Sequence, residues 1–220
     1  LAVAGAQMQT ILNNPLASPF TLGISAAASF GAALALVFGV GLLPIAADYI
    51  VPVNAFIVAM ATALLIHLLS QSRGVTTETV ILLGIALVFT FNALLALLQF
   101  FASEQALGAV VFWMMGSLTK ASWNKLAITT GVFVLSMPFF FRHAWALTTV
   151  GPHIARMVIG EDQRFFVPAS ALAGAAILSA SSVVSKSLIP GLIFPISIVT
   201  ALVGVPFYFS LIMSSRKRAW

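Results

Sequence analysis

Apolar positions along this chain neither alternate with polar ones nor keep to one helical stripe. They run in blocks of about twenty residues, separated by short polar punctuation. The blocks fall at residues 20–43, 50–70, 78–102, 124–141, 168–189 and 192–213. A helix of about 20 apolar residues crosses the hydrocarbon core of a bilayer, so each block predicts one crossing. The blocks are too long and too uniform for barrel strands, whose lipid-facing and lumen-facing residues alternate. Helices satisfy their own backbone groups, which lipid cannot do. Residues 1–12 read as the end of a seventh crossing, and a chain that opens on Leu1 inside an apolar run is expected to have its natural start upstream. The pattern predicts an all-α, polytopic transmembrane helix bundle: one domain over residues 1–220, with six complete spans and a partial one.

The punctuation sets the sidedness. "NNPLASP" opens the first complete block, "SQSRGVTTET" lies between the second and third with Thr77 as a candidate N-cap before Glu78, and residues 103–123 form an aromatic connection. Trp113 and Trp123 there suit a membrane interface, where an indole keeps its N–H wet. The longest polar connection covers residues 142–168. Six crossings place Arg73, Arg142, Arg156, Arg164, Arg216, Lys217 and Arg218 on one side, against Lys120, Lys125 and Lys186 on the other. Loops rich in Lys and Arg stay in the cytoplasm, so the first side is predicted to be cytoplasmic, with the C-terminus on it.

Within the first block, Gly23, Ala27, Gly31, Ala35 and Gly39 recur every four residues. This small-xxx-small spacing lets helix backbones approach closely in lipid, where burying leucine against leucine gains little over burying it in acyl chains. A shorter row is Ala171, Ala175 and Ser179. Apolar helices are also rich in Gly and Ala for no packing reason, and that reading stays open.

Composition agrees with the pattern. Of the 220 residues 61% are hydrophobic and 7% charged, against roughly 25% charged in soluble domains. The net charge of +5 is scattered and not interleaved with aromatics, so no nucleic-acid partner is expected. There is no cysteine, hence no disulfide and no thiolate metal site. His67, His143 and His153 have no metal-ligand spacing, and no cofactor or metal is expected. The chain carries neither a phosphate-binding loop nor a Gly-x-Ser-x-Gly nucleophile, so it is not expected to be an enzyme or to hydrolyse ATP itself. A proton-coupled carrier needs ionisable relays inside its spans. Here the polar residues within them are Asn54, Asn92, Gln99 and hydroxyls, with Lys186 and Glu78 near span ends. Any transport energy is therefore expected from outside the chain.

Four stretches, in order, resemble the FecCD-type permease subunits of bacterial ABC importers for iron–siderophore complexes, haem and vitamin B12. They are "LAVAGAQMQTILNNPLASPFTLGISAAASFGAA", "FWMMGSLTKASW", "GPHIARMVIGEDQRFFVPASALAGA" and "IPGLIFPISIVTALVGVPFYFSLI". The resemblance implies the fold of a type II ABC importer permease, located in the inner membrane. It also implies a second permease subunit, as homodimer or heterodimer, two cytoplasmic ATPase subunits and a periplasmic substrate-binding protein. The cargo it points to is an iron chelate, with a ferric siderophore ahead of haem or vitamin B12. It places Asn14 and Pro15, in the Asn-Pro-Leu-Ala turn, and His153, Arg156 and Arg164 on the cytoplasmic face near the ATPase, although a plain turn and solvated ion pairs fit those residues as well. It also implies about ten spans, and between residues 141 and 151 a cytoplasmic coupling helix and two further crossings that this chain lacks, as it lacks the first span. A truncated, non-transporting membrane remnant and a membrane-embedded enzyme are the competing readings; the latter needs ionisable residues clustered at one depth.

Overall fold

The computed structural model describes residues 4–5, 8–9, 18–44, 46–72, 74–116, 122–149, 163–187, 194–202 and 204–206. Among these the chain is helical and has no strand: α1 (Ile24–Phe38), α2 (Ala47–Ser70), α3 (Thr77–Phe101), α4 (Glu104–Met115), α5 (Trp123–Thr149), α6 (Gln163–Ser187) and α7 (Ile196–Pro206). It divides into two compact units, Leu1–Met114 and Met115–Trp220. Two described helices, Asp48–Ser70 within α2 and Thr77–Phe101, are long and apolar enough to cross a membrane.

In the first unit α1 packs against both α2 and α3. Its inward face is small: Ala27, Gly31, Ala32, Ala33 and Ala35 are buried. Phe30 of α1 meets Phe91 of α3 with ring centroids 5.8 Å apart. Ala33, Leu95, Leu98 and Val110 form the buried apolar cluster, joining α1, α3 and α4. The outer faces of α2 and α3 present large apolar side chains, Phe56, Leu64, Leu82 and Phe89 among them, as helices bathed in acyl chains must.

Several predicted boundaries move. The block at 20–43 is not one spanning helix. Residues 18–23 form a turn in which the Thr21 N–H donates to Ser18 Oγ (3.2 Å) and Thr21 Oγ1 donates to the Ser18 carbonyl (2.8 Å). Gly23 (φ 76°) and Gly39 (φ 66°) then stand in left-handed backbone at the two ends of α1, a conformation that costs any residue with a Cβ. The 15 residues between them reach about 22 Å, short of a hydrocarbon core of about 30 Å. The N-cap of α3 is Thr76, whose hydroxyl accepts the Thr79 N–H at 3.3 Å, and Thr77 is the first helical residue. The connection at 103–123 contains α4, started by Ser103 accepting the Ala106 N–H. α5 runs on to Thr149 and α6 begins at Gln163, so much of the polar connection at 142–168 is helical.

In the second unit, the described side chains of α5 and α6 are mostly exposed. Among the described residues the buried ones are Ser181 and Ser185 of α6 and Val199 of α7. Ser185 Oγ donates to the Phe194 carbonyl, and the Phe194 N–H returns to the Ser185 carbonyl, which ties the end of α6 to the start of α7.

Gly84, in α3, is a point of close approach in the first unit. A Cβ built on it would lie 2.8 Å from both Leu22 Cα and the Thr21 carbonyl oxygen, backbone atoms with no rotamer to retreat into. Gly84→Ala should therefore destabilise the unit by about 1–3 kcal/mol, the usual cost of overpacking. Gly108→Ala in α4, where a Cβ meets nothing within 4 Å, should be neutral or stabilising by up to about 1 kcal/mol from helix propensity. Thermal unfolding of the two variants in detergent, side by side, checks the contrast.

Candidate functional site

Apolar helices gain no specificity from being apolar in lipid, so the site is built from the positions that break the rule. In α1 the break is the absence of side chains. A Cβ on Gly31 would lie 2.6 Å from the Asn54 carbonyl oxygen and 2.9 Å from Val58 Cγ2. A Cβ on Gly23 would lie 2.9 Å from Leu87 Cβ and 3.0 Å from the Val88 nitrogen. Ala27, between these contacts, and Ala35, one turn past Gly31, are buried. The row Gly23, Ala27, Gly31, Ala35 thus lies where α1 meets its neighbours. Gly39 does not: a Cβ there meets nothing within 4 Å, and its N–H donates to the Ala35 carbonyl (2.9 Å) as the helix cap.

In α2 the break is an amide. Asn54 is 1% exposed, one of the two largest side chains buried to that degree among the described residues. Its Oδ1 accepts the Leu42 N–H at 2.9 Å and its Nδ2 donates to the Val40 carbonyl at 2.7 Å. One side chain thereby satisfies two backbone groups of the irregular segment that follows α1. Each of those groups, left buried and unpaired, would cost about 1–3 kcal/mol. Pro52, two residues earlier in α2, is exposed and removes the N–H that would bond the Asp48 carbonyl.

Asn92 is the third break. It stands past the middle of α3 and is exposed, between exposed Phe89 and Ala93. An amide at that depth is expensive against acyl chains. The hydroxyls of Thr62 and Thr90, by contrast, are satisfied within their own helices, donating to the carbonyls of Val58 and Ala86 at 2.8 Å. His67, at the end of α2, has its Nε2 3.0 Å from the amide nitrogen of Gln71. No cluster of three His, Cys, Asp or Glu side chains that could hold a metal occurs among the described residues.

The predicted cytoplasmic-face residues are less visible. Asn14, Pro15, His153 and Arg156 lie outside the described residues. Arg164 is the second residue of α6, and its side chain lies outside the described set. Residue-by-residue reading of the sequence missed Gly84; a lone glycine within an apolar helix was the available signal. It recorded Asn54 and Asn92 as polar without separating the buried one from the exposed one, which periodicity could not do in helices apolar on all sides.

The FecCD transport family model matches residues 1–151 and again 147–214. The chain is 34% identical to the "Putative ABC transporter permease protein MJ0087" of Methanocaldococcus jannaschii, over 99% of this chain and 77% of that protein. It is 27% identical to the hemin transport system permease protein HmuU of Yersinia pestis, over 99% of this chain and 79% of the relative. The vitamin B12 import system permease protein BtuC of Vibrio vulnificus is 28% identical, over 98% and 78%. A solved structure described as "An inward-facing conformation of a putative metal-chelate type ABC transporter" superposes with a TM-score of 0.82 at 27% identity, covering 97% of this chain and 81% of that one. The alignment with the Methanocaldococcus protein runs over 270 positions against 220 residues, so about 50 positions of that relative have no counterpart here. The two family matches meet at 147–151.

Proposed function

The chain belongs to the FecCD transport family, and from that membership we propose that it is the permease subunit of an ABC importer whose cargo is an iron chelate, a ferric siderophore first. It works in the plasma membrane with its C-terminus in the cytoplasm, as the excess of Lys and Arg on that side supports. Residues 1–220 act as one permease domain; the family match running through both compact units supports this. ATP is hydrolysed by partner subunits on the cytoplasmic face, and a binding protein delivers the chelate from outside. Asn14, Pro15, His153, Arg156 and Arg164 belong to the face that meets the ATPase.

The observation that carries the reading is the exposed mid-helix amide of Asn92 on an α3 free of ionisable residues in its interior. A polar group at that depth needs a partner helix or water. A second permease subunit packed beside a shared path provides both. An uncharged wall lets a bulky chelate pass without being held at a fixed charge. "GEDQRFFVPASALAGA" and "IPGLIFP" favour the ferric-siderophore branch of the resemblance.

Uptake by cells that carry the partner subunits and lack their own permease tests the cargo. Ferric siderophore should enter saturably and outcompete haem and cobalamin. Uptake of haem or cobalamin alone would assign the chain to the class of those relatives. A second reading is favoured by one observation, the gap of about 50 positions: a chain without its coupling segment packs in the membrane and does not transport.

A further inference from the structure

The segment after α1 combines three features that do not occur together in an ordinary loop. First, α1 ends at Phe38 after only 15 residues. Second, residues 38–44 are exposed and non-helical beyond Gly39, with Phe38, Val40, Leu42 and Leu43 each about half exposed. Third, this backbone is held by Asn54, which is not at the end of α2 but six residues inside the apolar stretch that starts at Asp48. At 1.5 Å per residue Asn54 lies about 9 Å along the helix from Asp48. Asp48–Ser70 is 23 residues, about 35 Å, so it overhangs a core of about 30 Å by only a few Å at each end. Val40 and Leu42 therefore sit below the hydrocarbon boundary.

Non-helical backbone is tolerated at that depth only when buried in protein or in contact with water. Within this chain the segment is not buried. Asn54 satisfies two of its groups, the Val40 carbonyl and the Leu42 N–H. The only other backbone hydrogen bond between described residues 39 and 44 is the cap from Gly39 to Ala35. The remaining peptide groups have no backbone partner among the described residues, and acyl chains cannot serve as one.

We propose that residues 39–43 face an aqueous vestibule reaching below the membrane surface on the extracytoplasmic side, and that Asn54 is the positioning residue that holds this wall open to water. The extracytoplasmic assignment rests on the orientation proposed above; the hydration does not. Asn54 itself touches backbone and not cargo, so its part is to set where Val40, Gly41 and Leu42 stand.

The chain has no cysteine, so each introduced thiol is the only one. In intact cells, Leu42→Cys should react with a membrane-impermeant methanethiosulfonate at least tenfold faster than Phe56→Cys, which is exposed on α2 at nearly the same depth. Val40→Cys should behave like Leu42→Cys. Adding Asn54→Leu, close in shape but without hydrogen-bonding groups, should change the Leu42→Cys rate at least fivefold, and Asn54→Asp, which keeps the acceptor for the Leu42 N–H, should restore part of it. Equal rates at Leu42→Cys and Phe56→Cys would overturn the vestibule, whatever the Asn54 variants do. Fast labelling found only in inverted vesicles would keep the hydrated wall and overturn the orientation. If Asn54→Leu leaves the labelling unchanged, the positioning role is lost and the vestibule stands.

Discussion

Gly31→Leu is expected to remove essentially all folded protein, at least tenfold fewer monodisperse molecules in mild detergent, where Gly131→Leu is tolerated. At Gly31 the nearest obstacle to a Cβ is the Asn54 carbonyl oxygen at 2.6 Å, followed by Val58 Cγ2 and Cβ at 2.9 and 3.0 Å. Alanine alone forces α1 and α2 apart, at about 1–3 kcal/mol. Leucine adds three more carbons with no space for them. In water, burial of the new side chain would offset part of the loss. In a bilayer it does not, because an extruded leucine is as well solvated by lipid as a packed one, and close contact is the main source of helix association. The displacement would also move the Asn54 backbone and hence the amide that holds Val40 and Leu42. At Gly131, in α5, a Cβ meets nothing within 4 Å, so the paired variant separates crowding from any general intolerance of glycine replacement. Size-exclusion profiles of both variants, expressed in parallel, measure the difference.

Why α2 and α3 were legible and α1 was not follows from what hydropathy records. The stretches 50–70 and 78–102 are apolar apart from a few isolated polar residues, carry good helix formers, and fold as α2 and α3 to within a few residues. The stretch 20–43 is equally apolar, yet Gly23 and Gly39 end the helix by backbone geometry, to which a transfer scale is blind. The four-residue spacing placed Gly23, Ala27, Gly31 and Ala35 on one face, and also enlisted Gly39, whose part is to stop the helix. α4 was hidden for the opposite reason: 12 residues are too few to cross, so a helix lying in the connection left no span-length signal. α5 passes Arg142 without stopping, because a charge marks where a chain leaves lipid and not where its hydrogen bonding ends. Of the site, the residue types were visible and their environments were not. Asn54 and Asn92 look alike in sequence. One is sealed between a loop and a glycine contact and the other stands on an outer face. The distinction depends on which side of each helix faces α1.

On the second reading above, in which the chain lacks its coupling segment, inserting that segment from a relative is expected to switch it from an uncoupled membrane protein to a coupled one. The family matches meet at residues 147–151, and about 50 positions of the Methanocaldococcus relative find no counterpart. That length suits two crossings of about 20 residues each with a short link. An even number of added crossings leaves every downstream loop on the same side as before, so the insertion preserves the Lys/Arg asymmetry on which the proposed orientation rests. Under the proposed function, the resemblance implies that the helix engaging the ATPase would lie in this region. On that reading the unmodified chain retains its helical bundle, since the close contacts of α1 with α2 and α3 lie far upstream of the junction, and captures little ATPase in detergent, whereas a chain already acting as the permease captures it without the insert. With the relative's segment joined between Thr149 and Gly151, captured ATPase should rise at least tenfold, and chelate-stimulated ATP hydrolysis should appear in proteoliposomes with the binding protein present. A scrambled insert of the same hydropathy should restore neither, which separates coupling from the mere return of two spans. Strong chelate-stimulated hydrolysis with the unmodified chain would place the coupling contacts elsewhere, with Asn14, Pro15 and Arg164 as the residues to mutate next.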